Sequence, residues 1–106
     1  MCHCLACQRR TGSVFAAQAR FRRSDVTITG HSSEYVRVGD EGPGVRFRFC
    51  PHCGATVWYT PEATADWLAI PVGAFADPHF PAPRISVYEE RMHPWVVMPE
   101  SIEHMR

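Results

Sequence analysis

Apolar and polar positions alternate along most of the chain beyond residue 12. Phe15, Ala17, Ala19 and Phe21 share one parity, Val26 and Ile28 alternate within residues 25–29, and Val36 is followed by Val38. The clearest run is Val45, Phe47 and Phe49, with Arg46 and Arg48 on the opposite face. Val57 with Tyr59, then Leu68, Ile70 and Val72, then Ile85 with Val87 continue the series. Such alternation predicts half-buried antiparallel strands. Gly30, the stretch from Gly39 to Gly44, Pro61, Asp77-Pro78 and Pro81-Ala82-Pro83 supply the turns. No segment repeats at helical period, and nine prolines oppose long helices. One turn near residues 61–66 is the best helical candidate. The pattern therefore predicts one small, mainly β domain over residues 1–99, with residues 100–106 as a polar tail that frays.

Composition narrows the function classes. A chain of 106 residues holds one hydrophobic core and leaves little surplus stability, so cross-links would help. Eleven basic and eleven acidic residues cancel, which argues against nucleic acid as a partner. No apolar run reaches the roughly 20 residues that cross a bilayer. The chain opens directly on Met1-Cys2-His3-Cys4, without the pattern of an export signal, so a cytoplasmic location with reduced thiols is expected. Every basic side chain other than histidine is arginine, with no lysine in the chain. Lysine Schiff-base chemistry is thereby excluded, and an anion would be held by arginine or by backbone amides.

The five cysteines sit in two tight groups, Cys2-His3-Cys4-Leu5-Ala6-Cys7 and Cys50-Pro51-His52-Cys53-Gly54. Disulfide frameworks spread cysteines along a chain, whereas metal sites gather them. Thiolates are soft ligands for Zn²⁺. In a Cys-x-x-Cys turn two sulfurs converge while nearby amides point at them; Pro51 suits its start and Gly54 its close. A redox pair at Cys50 and Cys53 is the competing reading, but such a motif opens a helix, and residues 55–59 read as a strand. The second group thus sits at the tip of a hairpin, with Val45–Phe49 running in. The first group precedes a strand expected to begin near Ser13.

The run from Cys2 to Ser13 (CHCLACQRRTGS) resembles the signature of the glutathione-dependent formaldehyde-activating enzyme (Gfa/CENP-V) family. Phe49-Cys50-Pro51-His52-Cys53-Gly54 resembles its second motif. The stretch from Arg84 to Tyr88, with Trp95, resembles its last strand and tryptophan, although Arg84 stands where the family is expected to have histidine. The resemblance implies an Mss4-like fold of coiled antiparallel hairpins with zinc-binding cysteine knuckles. It implies a three-cysteine zinc site, matched by Cys2, Cys4 and Cys7, and a structural site of which Cys50 and Cys53 match half. It also implies a further C-x-C strand ahead of Cys2, which this chain is expected to lack.

The activity implied is that of a carbon–sulfur lyase: formation or cleavage of S-hydroxymethylglutathione, or of a related adduct, with a small-molecule thiol as partner. Cys4 would be the central ligand or the nucleophile. Arg9 and Arg10 would either grip a glutathione carboxylate or lie solvated beside an anionic zinc–thiolate centre. The alternative function is a zinc-stabilised binding or structural module without turnover, in which Cys4, Cys7, Cys50 and Cys53 form one closed four-sulfur ribbon. An exposed first strand would favour a homodimer. Arg46 and Arg48 are expected to be a solvated strand face. Trp58, Trp67, Trp95, Phe75 and Phe80 are expected mainly to pack, with Trp95 the best placed to reach a cleft. His93 is expected in a loop.

Overall fold

The computed structural model describes residues 1–38 and 43–105. Among the described residues are one α-helix, α1 (Leu5–Thr11), and seven strands: β1 (Gln18–Arg22), β2 (Ser33–Arg37), β3 (Val45–Phe49), β4 (Thr56–Pro61), β5 (Trp67–Pro71), β6 (Ile85–Val87) and β7 (Glu103–Met105). The chain divides into two compact units, Ala19–Ala76 and the combination of Met1–Gln18 with Asp77–Arg106.

The Ala19–Ala76 unit is built on a five-stranded sheet of order β1-β5-β4-β3-β2. β2, β3 and β4 are antiparallel neighbours, with Tyr35 opposite Phe47 and Phe47 opposite Tyr59. Alternation on β3 does what the sequence predicts. Phe47 is buried with Tyr59 and Ala69, and Val45 and Trp67 pack against them. The Phe47 and Tyr59 rings lie 5.0 Å apart in a tilted arrangement, a favourable aromatic geometry. On the other face, Glu34 of β2 sits opposite Arg48 and diagonal to Arg46, and its two oxygens take one arginine each. Pairs this exposed contribute only about 0.2–1 kcal/mol, which agrees with a solvated face.

The β3–β4 connection is the second cysteine group. The Gly54 amide donates to the Cys50 carbonyl at 2.8 Å, and the Cys50 amide donates to the Ala55 carbonyl at 2.8 Å. Gly54 takes φ 77°, a left-handed conformation that glycine adopts without strain.

Four local expectations need correction. Residues 25–29 form no strand: a 3-10 turn at Arg23–Asp25 and the Arg23 guanidinium, bonded to the Val26 carbonyl at 2.8 Å, hold them in a loop. The first strand begins at Gln18 rather than near Ser13. Val72 leaves β5 for a 3-10 turn. The tail does not fray as far as Met105: Ile102 is buried, and β7 pairs with β6 in parallel, where antiparallel pairing was expected. Of the predicted turn at 39–44, residues 39–42 lie outside the described residues.

In the other unit the chain start acts as a strand. Cys2 bridges Ala16 on one side, antiparallel, and Val87 on the other, parallel. The Cys2 amide donates to the Ala16 carbonyl at 2.8 Å, the His3 amide to the Val87 carbonyl at 3.1 Å and the Met1 nitrogen to the Ile85 carbonyl at 2.7 Å. β7 is fixed from the side by Glu89, whose carboxylate meets His104 Nδ1 at 2.6 Å; this hydrogen bond holds Glu89 below the usual carboxylate range.

Candidate metal centre

Residues 1–3 are extended, so consecutive side chains point to opposite sides. Cys2 and Cys4 fall on one side and His3 on the other. Immediately afterwards the chain coils into α1, which brings Cys7 back to the two earlier cysteines. The Cys4 sulfur accepts the Cys7 amide at 3.4 Å and caps the helix. Gly12 closes it at φ 70°, its amide donating to the Gln8 carbonyl. The leucine, alanine, glutamine and arginines between these caps are good helix formers. The sequence pattern missed this helix because seven residues make too few turns to show a period, and a thiol stands where a hydroxyl or carboxylate cap would signal a start.

The outcome is a sulfur cluster. The ligand atoms of Cys2, Cys4 and Cys7 all lie within 4.8 Å of one another, and the Cys2 and Cys4 sulfurs are 3.4 Å apart. A tetrahedral ion with bonds of about 2.3 Å spaces its sulfurs by roughly 3.8 Å, so the three thiols fit a zinc-sized ion with little adjustment. Among the described residues no other group of three or more metal-ligating side chains converges. Cys2 and Cys7 are buried, whereas Cys4 is only half-buried. Cys4 is therefore the most exposed residue of the three. The hydrogen bond with Cys7, and then burial, push the Cys2 thiol well above its ordinary range. Metal binding at Cys2 must displace its thiol proton.

The chain's match to a known family now bears on this cluster. The family model for glutathione-dependent formaldehyde-activating enzymes matches residues 1–91. The chain belongs to that family. Comparison with curated proteins finds no match. The mainly β fold with an antiparallel sheet and cysteine clusters is the one this family membership implies. One expectation drawn from the family motifs is corrected: the match starts at residue 1 and Cys2-x-Cys4 stands within the cluster, so the chain does not lack an N-terminal C-x-C.

Other predicted residues of this family member are placed as follows. Cys50 is half-buried and Cys53 exposed, both as free thiols. The backbone amides of Cys53 and His52, and then the Cys53 thiol, hold Cys50 below the ordinary thiol range, the amide-to-sulfur arrangement expected of such a turn. Arg9 is exposed and Arg10 half-buried at the end of α1. Trp58 lines a shallow depression with Arg23, Ile28, His31 and Arg48. Trp95 is 69% exposed and meets His93 edge-on. No helix among the described residues is long and apolar enough to cross a membrane.

Sequence reasoning turned the His3 side chain away from the metal without naming its partner, and read β6 with inverted parity. Ile85 is 44% exposed, while Ser86 is wholly buried. The reason is a polar pair: His3 is also wholly buried, and its Nε2 lies 3.0 Å from Ser86 Oγ. A satisfied hydroxyl is tolerated inside, so hydrophobicity alone gave the wrong face. Burial keeps the His3 imidazole below its usual range, which favours the neutral ring. Period two across Cys2, His3 and Cys4 was the available signal that His3 faces away from the sulfurs.

Proposed function

We propose that Cys2, Cys4 and Cys7 hold a zinc ion and that the centre makes or cleaves a glutathione–formaldehyde adduct, as a carbon–sulfur lyase. The observation behind this reading is three sulfurs within 4.8 Å of one another, one of them on a half-buried residue, in a chain of this family. Zinc held by three thiolates supplies a Lewis acid with a vacant position, which lowers the pKa of a thiol or water there. Cys2 and Cys7, both buried, anchor the centre, and Cys4 faces the incoming molecule. In the forward direction a carbon–sulfur bond forms between the glutathione sulfur and the formaldehyde carbon. The thiol proton ends on the former carbonyl oxygen. Arg9 and Arg10 are proposed to hold a glutathione carboxylate through paired N–H donors. Cys50 and Cys53 are proposed as ligands of a second, structural zinc. Reduced cysteines favour a cytoplasmic location.

The reading is tested by following magnetisation exchange between ¹³C-formaldehyde and S-hydroxymethylglutathione with the zinc-loaded chain. Exchange faster than the spontaneous rate is expected. A rate equal to the protein-free control would leave a zinc-stabilised binding module, the alternative function, in its place.

A further inference from the structure

Gln8 follows Cys7 directly on α1, and its side-chain amide makes three hydrogen bonds. Nε2 donates to the His3 carbonyl at 2.8 Å and to the Arg91 carbonyl at 3.0 Å. Oε1 lies 2.9 Å from His93 Nε2. Two carbonyl acceptors fix the orientation of the amide, because only the NH₂ end can serve them. The remaining oxygen must then accept, so His93 carries its hydrogen on Nε2. Both N–H groups of the amide are used.

The position of these bonds matters more than their number. The His3 carbonyl belongs to the peptide that leads into Cys4, between the two sulfurs of the C-x-C pair. On its other side the His3 amide is held by Val87, and the imidazole by Ser86. The helix carrying Cys7 and the extended segment carrying Cys2 and Cys4 are thus joined by a side chain adjacent to Cys7. The same amide ties down Arg91 and His93, and His93 abuts Trp95.

We propose that Gln8 is a positioning residue for the sulfur centre: it fixes the C-x-C turn against α1 and links the spacing of the three sulfurs to the segment at residues 91–95. This rests on the metal-binding reading above. Groups that orient metal ligands, without touching the ion, typically change affinity by about 10–100-fold when removed. Gln8 acts on the ligand backbone in this way.

The test is a Co²⁺ titration of the full chain, read by its thiolate charge-transfer and d–d absorption. Gln8→Met keeps the length of the side chain and its helix preference but removes all three bonds. It is expected to weaken Co²⁺ binding about 10–100-fold and to shift the d–d bands, with the far-ultraviolet dichroism unchanged. His93→Leu leaves both carbonyl bonds of Gln8 in place. It is expected to give a smaller loss in the same direction, and it serves as the test if Gln8→Met fails to fold. Unchanged affinity and spectrum in a folded variant, beside a normal spectrum in the unsubstituted chain, would overturn the positioning role alone. No spectrum from the unsubstituted chain would overturn the metal reading and this proposal with it.

Discussion

Cys4→Ser is expected to reduce adduct exchange to the spontaneous rate and to weaken zinc binding by more than the roughly 10–100-fold typical of losing a supporting contact, because here a proposed ligand itself is removed. The Cys4 sulfur has three places in the structure. It lies 3.4 Å from the Cys2 sulfur, it accepts the Cys7 amide as the cap of α1, and it belongs to the one cluster residue that is not buried. Serine preserves the second of these, since its hydroxyl is among the best helix caps. A neutral hydroxyl is a poor substitute for a soft thiolate on zinc. The substitution therefore separates chemistry from folding. Isothermal titration with zinc should lose the heat of this site and ¹³C exchange should fall to the spontaneous rate, while backbone amide shifts of residues 5–11 in the metal-free protein stay close to those of the unsubstituted chain. Exchange activity equal to that of the unsubstituted chain would reject this site as the centre of the reaction.

The second large effect is expected on metal removal, and it is local. Around the sulfur cluster the buried apolar residues are Cys2, Cys7 and Ala16, with Cys4 and Val87 packed against them. Two of the three buried residues are thus proposed ligands, and little else there supplies hydrophobic stabilisation. Zinc at 100 times its dissociation constant adds about 2.7 kcal/mol to the state that binds it. Chelation should therefore raise hydrogen exchange by about a hundredfold at the amides of Cys2, His3, Ala16 and Val87, which hold the chain start between its neighbours. The amides of Phe47 and Tyr59, in a sheet with its own aromatic core, should exchange at unchanged rates. Equal protection with and without chelator at the first set would mean that the cluster holds no metal under those conditions.

What the sequence made legible follows from which interactions are periodic. β3 and β4 were readable because Phe47 and Tyr59 meet an apolar core, so that Phe47 alternates with Arg46 and Arg48. The Cys50–Gly54 turn was readable because its residue types are tied to its backbone geometry. Three features were not readable, each for a physical reason. α1 is too short to repeat and is capped by a cysteine. β6 buries Ser86, which carries its own hydrogen-bond partner, His3, from the far end of the chain. β7 pairs with β6 as Glu103–Met105, a stretch with no apolar alternation, held by backbone bonds and by the contact of His104 with Glu89. Of the candidate site, the candidate ligand residues were visible as a cluster in sequence. Their support was not: Gln8, Ser86 and His93 are ordinary polar residues whose roles depend on contacts 83 to 85 positions apart.

The central claim is most directly tested by X-ray absorption at the zinc edge on the full chain loaded with one equivalent of zinc. Sulfurs from Cys2, Cys4 and Cys7 at about 2.3 Å, with one lighter ligand that glutathione replaces by a further sulfur, are the predicted result. Four protein sulfurs around zinc before any thiol is added would contradict it.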